Sequence, residues 1–569
     1  MPVITFNKKY LFSLLPKGTT EEKLNGQTYK MGFEPEQTGE KEVSLEITPN
    51  RPDLYSAVGF ARAFKNFNHK NKKLKYELGN EEPELEISVG REAANVRPFI
   101  ASIAVHGIHL DEEILADLIN FSEKFSETYG RYRKKIAIGM HDLDLIHGQL
   151  HYNAYEDERY MPLNYRGEKL FSEVLKETEK GQKYGSIISA SVRYPALKDS
   201  EGAISLIPIL NSERTKVTTK TRNMLVDITG IYREPVEKTA DLIASIFMDL
   251  GAIIKPVRIN YPGNERITPS LEKRYISMAL TLAESEIGVP IGSSNIISLA
   301  NKAGYEAALV GDKVRFRIPE YRLDIINEQD IVEDIAIAYG YDYINPTPIL
   351  ASQTGALLPE EEYFDTISGA LTGMGFTEEV NTYLSNESSN FTAMRIKETQ
   401  GFSPKEKMEY VKLKNSKAAS LTMMRTWLLP SLLRNLGSSL HDSMPQKLFE
   451  LDMAFAMLKG KPLEEYHLAA VDAGPRSNLN GIKAVISEIS YLFGINLDVG
   501  ESDHGSFIKG RSAVLLHEGT IAGIFGELHP EVLQSFGIEE PTSAFEINLN
   551  AILGKHSSPS AKKSRKPEE

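Results

Sequence analysis

Apolar residues recur along the chain in two rhythms. VITFN opens as a strand, and EVSLEITPNRPD alternates strictly into a proline-bracketed turn. After it Leu54, Val58, Ala61 and Phe64 fall at helical spacing on one face, with Asp53 as the expected cap. Residues 68–83 have no apolar period and read as a linker. Strand signals in LEISV, FIASIAVHGI, KIAIGM, AISLIPIL and NMLVDITG then mix with helical patterns at 111–127 and 235–250, which predicts an α+β domain rich in β structure. Tyr261-Pro262-Gly263 reads as the next joint. Helices over 271–283, 293–303 and from about Glu328, with a hairpin around Gly311-Asp312, predict a small winged-helix-like unit closed by Asn345-Pro346-Thr347-Pro348. A larger α+β unit follows, with helices at 361–374, 428–440 and 482–492 and alternating strands in SAVLLHEGTIAGIFGEL and AFEINL. The expected domains are therefore 1–84, 85–262, 263–348 and 349–554, with a disordered tail over 555–569.

With 569 residues, 41% of them hydrophobic and 25% charged, the composition is that of a multidomain globular protein. No run reaches the ~18–20 apolar residues of a membrane span, and the first residues lack the pattern of a secretory signal. A soluble, cytoplasmic protein is expected. The absence of cysteine excludes disulfides, thiolate metal sites and a cysteine nucleophile. Net charge of −13 argues against a whole-surface grip on nucleic acid and leaves two local basic patches, residues 69–75 and Arg131, Arg133, Lys134 and Lys135. Phosphate-loop, G-x-S-x-G and H-E-x-x-H signatures are absent.

Three clusters could carry chemistry. Asp330, Glu333 and Asp334 share a helical face opposite Ile331, Ile335 and Ala338, and Asp324 lies just before them. An all-oxygen set of this kind suits Mg²⁺; an acidic first turn complementing the helix dipole would read the same way. Asp227 and Thr229 stand two apart on an expected strand, hence on one face, within a hydroxyl-rich stretch that also holds Ser212. Such a face can hold a polar substrate group or a water, or can simply be β propensity. His141-Asp142 could be a catalytic pair or a turn with a capping aspartate.

LEITPNRPDLYSAVGFARAF, RKKIAIGMHDLDLI, LIPILNSERTKVTTKTRNMLVDITG, FRIPEYRLDIINEQDIVEDIAIAYGYDYI and FIKGRSAVLLHEGTIAGIFGELHPEVLQSFGI occur in this order. Over residues 1–553 the chain resembles the β subunits of phenylalanyl-tRNA synthetases in their archaeal and eukaryotic form. The resemblance implies an (αβ)₂ heterotetramer whose α subunit holds the class II site that joins phenylalanine to ATP and then to tRNA(Phe). It implies that 349–554 has the antiparallel sheet of a class II synthetase without its chemistry, in keeping with the missing Arg-x-Glu and Gly-rich motifs. It assigns Mg²⁺ to Asp324, Asp330, Glu333 and Asp334, which match the spacing D-x₅-D-x₂-E-[DE], in a site shared with the α subunit. It makes 85–262 an editing domain that hydrolyses tyrosine wrongly attached to tRNA(Phe), with Ser212, Asp227 and Thr229 in the pocket. The bacterial oligonucleotide-binding and anticodon-binding additions are not expected. A free-standing tRNA-binding module and an autonomous deacylase of mischarged tRNA are the alternatives.

Overall fold

The computed structural model describes residues 2–68, 76–79, 82–189, 191, 193–349, 354–397, 409–418, 420–439 and 441–553. The basic cluster 69–75 and the tail expected to be disordered lie outside the described residues. The chain forms two compact units, Met1–Pro348 and Ile349–Glu569.

In the first unit, strands Val3–Asn7, Glu42–Glu46 and Glu34–Thr38 pair antiparallel in that order. Helix Ala57–Phe67 buries Phe60 and Phe64 against Phe6, Val43 and Leu45 of this sheet. Its cap is Ser56, whose Oγ accepts from Gly59 N at 3.1 Å, and not Asp53. Pro52–Leu54 forms a separate 3₁₀ turn in which Asp53 is held by Arg51 at 2.9 Å. The stretch read as a linker is anchored in part: Tyr76 is buried, and its hydroxyl donates to Asp249 at 2.8 Å beside the Arg62–Asp249 ion pair.

A ten-stranded mixed sheet follows. Its inner strands include Ile253–Tyr261, Phe99–His106 and Met224–Gly230, and Ile136–Asp142 forms one end. Along Met224–Gly230 the period of two sends Met224, Val226 and Ile228 into the core shared with helices Glu112–Glu127 and Arg233–Asp249, while Leu225 enters the core on the other face. Asp227 and Thr229 follow Leu225 onto that second face. Tyr261-Pro262-Gly263 is the turn of a hairpin rather than a domain joint: Asn264–Thr268 pairs antiparallel with Ile253–Tyr261 and carries the sheet beyond residue 262.

The helix expected over 271–283 is absent. Arg274–Ala279 is a strand, paired with Lys313–Ile318, and helix begins only at Leu280–Ile287. Met278 packs with Val314 and Phe316 of the paired strand, so tertiary pairing overrides an ambiguous apolar run. With Glu306–Val310 these make a three-stranded sheet against helices Ser293–Lys302 and Glu328–Tyr339.

The second unit is built on a seven-stranded sheet, antiparallel except for the short edge strand Thr377–Glu378. Alternation along Lys461–Ala473 serves two cores. Ala469 and Val471 meet helix Leu429–Ser438, whereas Leu468 and Ala470 meet helices Pro359–Gly373 and Leu479–Phe493. Trp427 is fully buried in the first of these cores, and its indole N–H donates to Asn390 O at 3.1 Å.

Candidate functional site

The second face of the large sheet borders a cavity of about 270 Å³. Its walls are mostly apolar, with Leu115, Ile119, Ile138, Leu163, Ile207 and Ile209 among the lining residues. Asp227 and Thr229 line it as well and are 2% and 1% exposed. Room for the Asp227 carboxylate depends on the neighbouring strand, where Gly139 is its register partner: a Cβ there would lie 2.1 Å from Asp227 Oδ2.

The same carboxylate oxygen lies 3.1 Å from His141 Nε2, and His141 Nδ1 lies 2.9 Å from Thr215 Oγ1. A carboxylate can only accept, so Nε2–H donates to Asp227, and in the neutral ring Nδ1 accepts from the Thr215 hydroxyl. His141 is thus not paired with its neighbour. Asp142 turns away and caps the 3₁₀ turn Leu143–Leu145 through Asp144 N at 3.1 Å, and it accepts from Thr221 Oγ1 at 2.6 Å. Behind Thr229 lies Arg97, 1% exposed, which donates from Nε to Thr229 Oγ1 at 3.0 Å and from Nη2 to Thr229 O at 2.6 Å. Burial lowers the Arg97 guanidinium to about 10.

Ser212 lines the cavity, but its hydroxyl is committed: it donates to Met161 O at 3.1 Å and accepts from Arg214 N at 3.2 Å. Ser205 and Asn211, joined at 2.9 Å, also line the cavity and carry no signal of their own in the sequence. Nor does Arg133 stand on a basic surface patch. It is buried, donates to Pro208 O and Ile209 O at 3.0 and 2.8 Å, and reaches Glu123 Oε2 at 2.8 Å. Burial would raise the Glu123 carboxyl, yet Arg133 and Lys180 hold it below its ordinary value. Arg131 and Lys134 remain exposed.

The four acidic residues of the small domain do not converge on one point. Arg322, 1% exposed, grips Asp324 with Nε and Nη2 at 2.8 and 2.7 Å and reaches Asp334 Oδ2 at 2.8 Å. Tyr305 donates its hydroxyl to the same Asp334 oxygen. Asp330 turns back to accept from Ile326 N and Asn327 N at 2.6 and 2.9 Å, closing a capping box with Asn327. Glu333 is exposed; burial of its carboxyl and the charges of Asp334, Asp330 and Asp324 raise it. Among the described residues no group of three or more acidic or histidine side chains is arranged to hold a metal. This set does not fit Mg²⁺, because a guanidinium already joins two of the carboxylates and a helix terminus takes the third.

Comparisons with known proteins agree over the length of the chain. The family described as "Phenylalanyl tRNA synthetase beta chain CLM domain" matches residues 344–549, and the "tRNA synthetase B5 domain" matches residues 276–341. The phenylalanine–tRNA ligase β subunit of Archaeoglobus fulgidus is 33% identical over 555 residues, 97% of this chain and 99% of that one. That of Pyrococcus furiosus is 36% identical over 512 residues, 88% of this chain and 90% of that one. The crystal structure of an N-terminal fragment of the phenylalanyl-tRNA synthetase β-subunit from Pyrococcus horikoshii is matched in full at 33% identity, covers 60% of this chain, and superposes with a TM-score of 0.57. Near-complete coverage in both directions at a third identity establishes the kinship: the chain belongs to the phenylalanine–tRNA ligase β subunits, a ligase family of protein biosynthesis.

Proposed function

We propose that this chain works with an α subunit, in an (αβ)₂ assembly in the cytoplasm, to attach phenylalanine to tRNA(Phe) with ATP, and that its large-sheet domain hydrolyses tyrosine wrongly attached to that tRNA. In this reading 263–348 is a winged-helix-like domain and 349–554 a class II synthetase-like domain whose ATP chemistry, with its Mg²⁺, belongs to the partner. The family membership supports the ligase half. One observation carries the editing half: a cavity with mostly apolar walls is lined by a buried carboxylate and a buried hydroxyl, Asp227 and Thr229.

Apolar walls accept the ring of phenylalanine or tyrosine alike. A phenylalanyl ring would cover the Asp227 carboxylate without offering it a donor, whereas a tyrosyl hydroxyl supplies one, so the cavity favours the amino acid that a synthetic site rejects least well. Lys180 and Lys216, which line the cavity with side chains 39% and 40% exposed and pair with Glu123 and Glu213, would bring positive charge toward the phosphates of an entering tRNA end. Asp227→Ala and Thr229→Val should each slow hydrolysis of tyrosyl-tRNA(Phe) by about 10- to 100-fold, as expected for a lost buried hydrogen bond, charged in the first case. Hydrolysis at the wild-type rate in both variants would place editing elsewhere.

A further inference from the structure

The Thr229 hydroxyl has a direction. It accepts from Arg97 Nε at 3.0 Å, and Arg97 Nη2 clamps the carbonyl of the same residue at 2.6 Å, so both oxygens of Thr229 receive from one guanidinium. Guanidinium is a donor with no acceptor, which leaves the hydroxyl proton of Thr229 for the cavity that the residue lines. The guanidinium is itself fixed: Nη1 donates to Lys134 O at 3.3 Å, and the Arg97 carbonyl accepts from the buried Tyr152 hydroxyl at 2.7 Å. Among the described residues Arg97 forms no ion pair; burial lowers its guanidinium, and Tyr152 and the Asp227 carboxylate, acting through space, oppose that shift only in part. Arg97 does not line the cavity.

We propose that Arg97 is a positioning residue that makes Thr229 an obligatory hydrogen-bond donor, so that beside the acceptor Asp227 the cavity reads a group able both to give and to take a hydrogen bond. This rests on the editing reading given above. A phenol satisfies both partners, giving its proton to Asp227 and taking that of Thr229. An aniline satisfies only Asp227, because its nitrogen lone pair is delocalised into the ring.

The test uses the full chain with its α subunit and tRNA(Phe) charged with tyrosine or with p-aminophenylalanine. The wild type should hydrolyse the tyrosyl ester with a kcat/KM about tenfold higher than the p-aminophenylalanyl ester, the size of one neutral hydrogen bond. Arg97→Lys, whose single ammonium cannot hold both Thr229 oxygens, should bring this ratio near one, mainly through KM for the tyrosyl ester. Thr229→Val should do the same, Thr229→Ser should keep the preference, and the double variant Arg97→Lys/Thr229→Val should be no worse than Thr229→Val alone. A ratio that survives Arg97→Lys, or losses that multiply in the double variant, would overturn the proposal. If Arg97→Lys loses its fold by thermal unfolding, Arg97→Gln replaces it, its amide oxygen free to accept the Thr229 proton: an unchanged ratio sinks the proposal and a collapsed one upholds it. Wild-type hydrolysis by both Asp227→Ala and Thr229→Val would remove the editing reading itself, and this inference with it; impairment of those two with Arg97→Lys unaffected removes this inference alone.

Discussion

Gly139 shows how much of the candidate site is decided by single atoms. Its missing Cβ is the space that Asp227 Oδ2 occupies, so Gly139→Ala should push the carboxylate off His141, lower stability by about 1–3 kcal/mol and abolish hydrolysis of tyrosyl-tRNA(Phe). Calorimetry and a deacylation assay would check the two effects separately. Arg322 is the corresponding residue in the small domain. Arg322→Met would leave Asp324 and Asp334 without their cation, and an expected loss of about 3–5 kcal/mol is measurable by urea unfolding. Asp227 and Thr229 could be read from the sequence because a period of two puts them on one face. His141 stood out too, but its partner is 86 residues away, which no local pattern reveals. Gly139, Ser205, Asn211 and Arg97 reach the site from other strands or act from behind it, and none has a local spacing that marks it as a site residue. The acidic spacing was equally legible, yet Arg322, two residues before Asp324, changes what it means.

At the scale of elements, the regular helices were legible because amphipathic period and length agree, as in Arg233–Asp249 and Leu479–Phe493. Arg274–Ala279 was not, since its strand identity comes from Lys313–Ile318, nearly forty residues on. One joint between elements carries a pH signature. Asp117 on helix Glu112–Glu127 accepts from Ala57 N, the first residue of helix Ala57–Phe67, at 3.1 and 3.0 Å, close to the buried Tyr10 hydroxyl. Burial pushes its carboxyl up from 3.8 to about 7. Between those values the folded protein holds a proton that the unfolded chain has released, so this contribution to stability is complete below about pH 4 and is lost as pH rises through 7. Asp117 keeps some exposure, which limits the effect to about 2 kcal/mol, less than a fully enclosed shift of this size would give. Asp117→Asn should flatten the slope of unfolding free energy between pH 4 and 7; an unchanged slope would assign it to other groups.

For the whole molecule, the proposed division of labour makes two expectations. The chain alone should not charge tRNA(Phe), and charging should appear when the α subunit is added; activity without the partner would show a synthetic site in this chain. Because Arg322 and the helix terminus already occupy the acidic set, thermal unfolding of the chain alone should be the same in EDTA as in Mg²⁺. A midpoint raised by Mg²⁺ would mean that these side chains rearrange around the ion.

Trp427 is the sole indole among 569 residues, and it lies fully buried beside Asn390 in the unit Ile349–Glu569. Light absorbed at the red edge of the aromatic band therefore excites that unit alone, despite the 25 tyrosines spread along the chain. Its emission should start blue-shifted and move to the red when the second unit opens, while the sheet that holds Asp227 stays optically silent. The protein thus carries a built-in reporter of one half of itself, and fluorescence set beside a whole-chain signal such as circular dichroism separates the unfolding of its two halves without a label.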